Sequence, residues 1–140
     1  SEGSYRSHMG VKGLLPPNSF DIEQQNYFLS YSDAAENFLD EAWSSTPGIL
    51  YKACGLSSSD IDCLIPHQVL KNRTRFISEA SNIALNKTID ILGDYANCGS
   101  ATILLALHQA IKNKQLNEGQ HAMMVAAGGG VSWGGLILKT

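Results

Sequence analysis

Long apolar runs are missing from this 140-residue chain. None approaches the roughly 20 residues that a bilayer-spanning helix needs, and no leader-like apolar segment opens it, so a membrane partner is not expected. Charge of one sign is scarce as well. Ten lysines and arginines against 13 aspartates and glutamates leave a net charge of -3, which offers no basic footprint for a nucleic acid. Cysteine is sparse: Cys54, Cys63 and Cys98 have neither metal-ligand spacing nor the even count of a disulfide framework. They are expected to be reduced thiols in a cytoplasmic protein, with no metal site. No internal repeat is present. With 44% hydrophobic and 16% charged residues, the chain reads as one soluble globular domain long enough to bury a core.

Glycine and proline punctuate the chain. Gly3, Gly10, Gly13, Pro16 and Pro17 mark residues 1–24 as loop or lid. Ser7-His8-Met9 has the form of a cleaved-tag scar, which would make residues 1–9 vector-derived; the segment is read here as native. From about residue 25 to 53, Phe28, Tyr31, Ala35, Phe38, Leu39, Ala42 and Trp43 recur at helical steps. Pro47-Gly48 should split or kink that helix, because proline removes a donor and crowds the preceding turn. Gly55 is placed to close it.

Residues 57–60 can cap a short turn into a buried strand over 62–66, with His67 at its carboxyl end. A helix is expected over 70–85, with Phe76, Ile77, Ala80 and Ile83 inward. Ile89, Ile91 and Leu92 suggest a short strand, and a strong helix should run over 100–112. After a turn at Asn117-Glu118-Gly119, residues 121–127 and 131–139 read as a hairpin around Gly128-Gly129-Gly130. Strand and helix alternate, which predicts a mixed sheet layered with helices in the α/β class.

Few residues here can carry chemistry. His67 lies where a strand meets a helix, a place where α/β sheets bind ligands. Its imidazole can donate to an oxyanion or exchange a proton, or can simply be satisfied by backbone. Asn97 can donate from its amide without changing charge, or cap the helix that follows. The glycine triplet can present a backbone N–H to an oxyanion, or serve as a tight turn. Cys98 adjoins Asn97 but reads as a semi-buried packing residue with nothing to depress its pKa. Cys54 and Cys63 read as structural, and His108 and His121 as surface or core. Trp43 and Trp133 are expected to pack. Lys71, Arg73 and Arg75 form either a small basic patch or a solvated helix face.

In combination, three ordered motifs resemble the C-terminal half of the β-ketoacyl-acyl-carrier-protein synthase III family. Pro66-His67-Gln68 matches the family's Pro-His-Gln. Asn97, within Ala96-Asn97-Cys98-Gly99-Ser100-Ala101, matches its Gly-Asn-Thr-Ser-Ala loop. Gly-Gly-Gly-Val-Ser-Trp-Gly over 128–134 matches its closing Gly-Gly-Gly-Phe-Thr-Trp-Gly.

The resemblance implies a thiolase-like fold of two similar halves. Residues 25–140 would be the C-terminal catalytic half-domain, starting after that half's first strand. The N-terminal half, with its nucleophilic cysteine, would be absent, leaving the isolated chain inactive. It implies an acyltransferase that loads an acyl group from acyl-CoA, decarboxylates malonyl-acyl-carrier protein and joins the two by Claisen condensation. That chemistry belongs to fatty acid or polyketide-type biosynthesis.

In that scheme His67 and Asn97 are catalytic and Gly129 supplies an oxyanion-hole N–H. Lys71 and Arg73 meet an acyl carrier protein, and no cofactor is used beyond the coenzyme A and carrier thioesters. The complete enzyme would be a homodimer. Departures from the family pattern lie at Leu70 and Asn72, where it has asparagine and arginine. Others are the stretch Ser30-Tyr31-Ser32 to Glu36, and Ala127 before the glycines. They leave room for a non-decarboxylating acyltransferase of secondary metabolism, or a non-catalytic partner subunit or carrier-binding module of the same fold.

Overall fold

The computed structural model describes residues 9–11, 29–31, 33–128 and 132–140. Its centre is a three-stranded mixed sheet. Strand β3 (Cys63–Pro66) runs parallel to β4 (His121–Gly128), and β4 pairs antiparallel with β5 (Ser132–Lys139). A separate antiparallel ladder joins β1 (Met9–Val11) to β2 (Leu29–Tyr31), pairing Met9 with Tyr31.

The period-two alternation of strands explains why β3 and β4 are apolar throughout: both of their faces are covered. Leu64, Met123, Val125 and Ala127 point to one side, where they pack with Leu39 and Trp43 of helix α1 (Asp33–Cys54) and Ile77 of α2 (Lys71–Ser81). Cys63, Ile65, Ala122 and Met124 point to the other, against Ala106 and Ala110 of α4 (Thr102–Lys112). The expected layered α/β arrangement is present.

Four elements differ from expectation. Residues 9–11, inside the stretch expected to be loop or lid, form strand β1, because they pair with 29–31. The long helix begins at Asp33, because residues 29–31 are drawn into the β1–β2 ladder; residues 25–28 lie outside the described set. It runs through Pro47 as one element, so of the split or kink expected there the split does not occur. The proline ring is fully buried, and the Thr46 hydroxyl donates to the Ala42 carbonyl at 2.6 Å in the same turn. Burial against β4 and β5 outweighs the one missing backbone bond.

Helix α2 stops four residues early. Asn82 takes the left-handed conformation at φ 54°, and Ile83 N–H returns to the Ser78 carbonyl at 3.1 Å, a Schellman closure made by asparagine in place of glycine. Finally, the segment expected to be a strand at 89–92 is not one. Thr88 makes a single parallel bridge to Leu64, and the chain then enters a one-turn helix, α3 (Leu92–Tyr95).

Other expectations are met. Gly55 closes α1 at φ 66°, with Leu56 N–H on the Tyr51 carbonyl at 3.1 Å. Ser57 donates to the Asp60 carboxylate from its hydroxyl at 2.6 Å and its backbone N–H at 2.8 Å, holding the Asp60 carboxyl below its ordinary pKa. Phe38 meets Trp133 edge-on, with ring centroids 5.0 Å apart.

Candidate active site

Strand β3 ends by delivering His67 to the side of β4. The His67 N–H extends the parallel ladder to the Val125 carbonyl at 2.7 Å. Its ring turns along the same strand, with Nδ1 2.8 Å from the Ala127 carbonyl oxygen. A carbonyl can only accept, so Nδ1 carries the proton and donates. That settles the tautomer: the neutral ring presents a lone pair at Nε2, and Nε2 becomes a donor only in the imidazolium. Nε2 is buried and, like Trp43 Nε1, Thr74 Oγ1 and Thr102 Oγ1, has no hydrogen-bond partner among the described residues, an arrangement that costs free energy.

Ala127 is followed by Gly128, where β4 ends, so the imidazole is pinned near the end of β4. Gly129 itself, assigned an oxyanion N–H from sequence, lies outside the described residues, as do Gly130 and Val131.

Asn97 stands exposed between α3 and a 3-10 turn over Gly99–Ala101 that leads into α4. Its Oδ1 accepts the Gly99 N–H at 2.9 Å, a local turn that orients the amide and leaves Nδ2 as the free, donating end. Capping of α4 by Asn97 is not what the geometry shows, since Ala101 holds the cap position of that helix. The residue before it, Ala96, sits at φ 55° and ψ -163°, a region natural to glycine. No direct hydrogen bond joins His67 to Asn97 among the described residues. The side chain that touches the segments behind both is Gln68, which sequence reading treated only as part of a motif.

The other candidates separate cleanly. Arg73 forms an ion pair with Asp40 and lies over the Trp43 ring at 5.6 Å, tying α2 to α1, whereas Lys71 and Arg75 are exposed. Leu70 is 55% exposed at the head of α2 and provides no side-chain cap. Cys98 is exposed, not semi-buried, and its thiol donates to the Tyr95 carbonyl at 3.1 Å. Cys54 is exposed too, while Cys63 is buried, and burial, aided by Asp62, pushes its thiol up to about 11. His121 Nδ1 lies 3.2 Å from the Asp60 carbonyl, at the opposite end of β4 from Ala127, and His108 is exposed. Among the described residues no three His, Cys, Asp or Glu side chains gather as a metal site, and no helix is long and apolar enough to cross a membrane.

Comparison with known proteins places the chain in a family. Residues 51–140 match the family described as 3-Oxoacyl-[acyl-carrier-protein (ACP)] synthase III C terminal. The beta-ketoacyl-[acyl-carrier-protein] synthase III of Chlamydia caviae is 28% identical over 127 residues, covering 89% of this chain and 38% of that protein. The enzyme of the same name from Syntrophomonas wolfei is 31% identical over 144 residues, covering 99% of this chain and 43% of its own length. The crystal structure of 3-oxoacyl-[acyl-carrier-protein] synthase III from Aquifex aeolicus superimposes with a TM-score of 0.83 at 24% identity. That match covers all of this chain and 42% of that one, so the fold is the C-terminal half of a thiolase-like fold. The chain thus spans less than half the length of these relatives. With the three motifs, the layered sheet and the match over 51–140 in agreement, this chain belongs to the 3-oxoacyl-acyl-carrier-protein synthase III family and corresponds to its C-terminal part.

Proposed function

We propose that this chain supplies the histidine–asparagine half of a decarboxylating condensing enzyme. The observation that carries the reading is the buried Nε2 of His67, unpartnered among the described residues, on a ring held by the Ala127 carbonyl near the end of β4. Asn97 adds an amide donor whose orientation is set by Gly99.

The substrates are an acyl group, delivered from acyl-CoA to a cysteine outside this chain, and malonyl-acyl-carrier protein. In the malonyl thioester the bond to the carboxylate breaks and carbon dioxide leaves. Its electron pair moves into the thioester carbonyl as an enolate. The oxygen that gains charge accepts hydrogen bonds from Asn97 Nδ2 and from His67 Nε2 in its imidazolium form. Stabilisation of this kind acts only where charge develops, which is why it lowers the barrier. The enolate carbon then attacks the acyl-cysteine carbonyl, the Gly129 N–H receives the resulting oxyanion, and its collapse expels the cysteine thiolate. No cofactor takes part.

Carrier docking is assigned to the start of α2, with Lys71 as the exposed cation and Arg73 stiffening the patch through Asp40. The complete enzyme is a homodimer in this reading.

The test is malonyl-thioester decarboxylation by the complete enzyme. His67→Ala and Asn97→Ala are each expected to lose about 100- to 1000-fold in rate, the range for removing one oxyanion donor, while self-acylation from acyl-CoA persists. Normal decarboxylation by His67→Ala would refute the assigned role. A chain that acylates yet never decarboxylates points instead to simple acyl transfer.

A further inference from the structure

We propose that Gln68 is a positioning residue that sets where Asn97 stands relative to His67. The proposal rests on the reading above, in which those two side chains share one thioester oxygen.

Gln68 follows His67 directly and is fully buried. Both ends of its carboxamide are engaged: Nε2 donates to the Ile89 carbonyl at 2.7 Å, and Oε1 accepts the Ile91 N–H at 2.8 Å. These two backbone groups belong to the segment that begins as a neighbour of β3 and then loses it. The pairing consists of the Thr88 bridge and the Ile89 N–H on the Leu64 carbonyl at 2.8 Å. Beyond Pro66 there is no further β3 residue to continue it. A side-chain carboxamide offers the same donor and acceptor as a peptide unit. Gln68 therefore takes the place of the missing strand residue.

What it anchors is the approach to Asn97. The Ile91 carbonyl receives the N–H groups of both Asp94 and Tyr95, at 3.2 and 2.9 Å, so α3 hangs from that residue. One turn later comes Ala96 in its glycine-like conformation, and then Asn97. A non-glycine residue persists there only when its flanks are held. On the far side the holder is α4, packed on the sheet through Ala106 and Ala110. On the near side, α3 has no buried residue of its own; Ile89 and Ile91 pack beside Ile65 of β3 in the core, and the clamp from Gln68 fixes the backbone of that segment by hydrogen bonds at both isoleucines. One buried side chain thus connects the strand end that carries His67 to the turn that carries Asn97.

Gln68→Glu distinguishes positioning from mere support. As a neutral acid the glutamate keeps both bonds, with O–H to Ile89 and C=O from Ile91. As a carboxylate it turns a lone pair on the Ile89 carbonyl, and burial raises the pH at which this happens. The readout is the decarboxylation rate of the variant relative to wild type in the complete enzyme, from about pH 5 to about pH 8. The expected ratio is near unity on the acid side. It should fall about 100-fold as the carboxyl ionises, the scale of an ångström-level misplacement, in kcat more than in KM. Self-acylation should track wild type throughout.

A ratio that stays within a factor of about three in folded Gln68→Glu, together with undiminished decarboxylation by Gln68→Met, overturns the proposal. If ionisation unfolds Gln68→Glu, Gln68→Met is read at neutral pH, since methionine fills the space but makes neither bond. A kcat loss of about tenfold or more with intact self-acylation upholds the proposal, and undiminished decarboxylation defeats it. Wild-type rates in the Gln68 variants beside inactive His67→Ala and Asn97→Ala would sink this inference alone. Active His67→Ala and Asn97→Ala enzymes would sink the underlying reading and this inference together.

Discussion

Three thiols in one chain differ because their surroundings differ. Cys63 is 1% exposed inside β3, and burial holds its proton, whereas Cys54 and Cys98 are exposed. In native protein, a thiol reagent is expected to modify Cys54 and Cys98 and to reach Cys63 only on unfolding; three equally reactive thiols would contradict this burial. The sign for stability follows from the same shift. The folded Cys63 value is raised from 9.0 to about 11. Its contribution is complete below pH 9 and declines as pH rises through the folded value, because the unfolded chain releases the proton first. Denaturant midpoints measured across that window should therefore drop.

Ala96 presents the opposite case, a residue at odds with its conformation. Glycine would remove strain of about 1–3 kcal/mol while adding about 0.4–1 kcal/mol of unfolded-state entropy. Ala96→Gly should accordingly stabilise the fold by about 1 kcal/mol in chemical denaturation. A destabilised Ala96→Gly would mean that the strain is absent.

At the level of elements, helix α1 rests on β5 at a point where no side chain fits. A Cβ on Gly135 would meet the Met124 carbonyl oxygen at 2.5 Å and Leu50 Cδ1 at 2.9 Å. The backbone oxygen cannot yield without breaking the β4–β5 register, in which Met124 pairs with Leu136. Gly135→Ala is expected to cost about 1–3 kcal/mol, as overpacking does, whereas Gly48→Ala, with open space around it, should not. Equal stability of the two variants in urea would rule out this contact.

The elements also divide by how far they could be read in advance. Strands β3, β4 and β5 and helix α4 were legible, since their apolar patterns and flanking turn residues agree. The start of α1 was not, because residues 29–31 fit a helical spacing yet gain more from pairing with 9–11. Nor was the end of α2, where asparagine does what glycine usually does. The short stretch after Thr88 looked like a strand because its isoleucines are buried. They are buried in the α4-side core through loop geometry, not through a ladder.

At the scale of the molecule, large apolar side chains are exposed on the α4 side among the described residues. Leu104 and Ile111 on α4 are 68% and 52% exposed, and Leu136, on the sheet face shared with Met124, is 50% exposed. A chain spanning 38% to 43% of its relatives and bearing such side chains is, in our reading, one part of a larger enzyme. Alone, it should gain no acyl mass from acetyl-CoA in intact-protein mass spectrometry, because the acyl-accepting cysteine is assigned elsewhere. Acetylation of Cys98 would overturn that assignment.

Residue identity and order determined a good deal without any coordinates: the α/β class, the hairpin, and three motifs whose spacing resembles a single family. Such features are local in the chain, and local chemistry expresses them directly. Only the tertiary structure decided which nitrogen of His67 carries the proton, because that depends on the Ala127 carbonyl 60 positions away. It alone assigned Arg73 to Asp40 across the α1–α2 interface, and Gln68 to the backbone at 89 and 91. Partners distant in sequence meet only when the sheet and its helices bring them together.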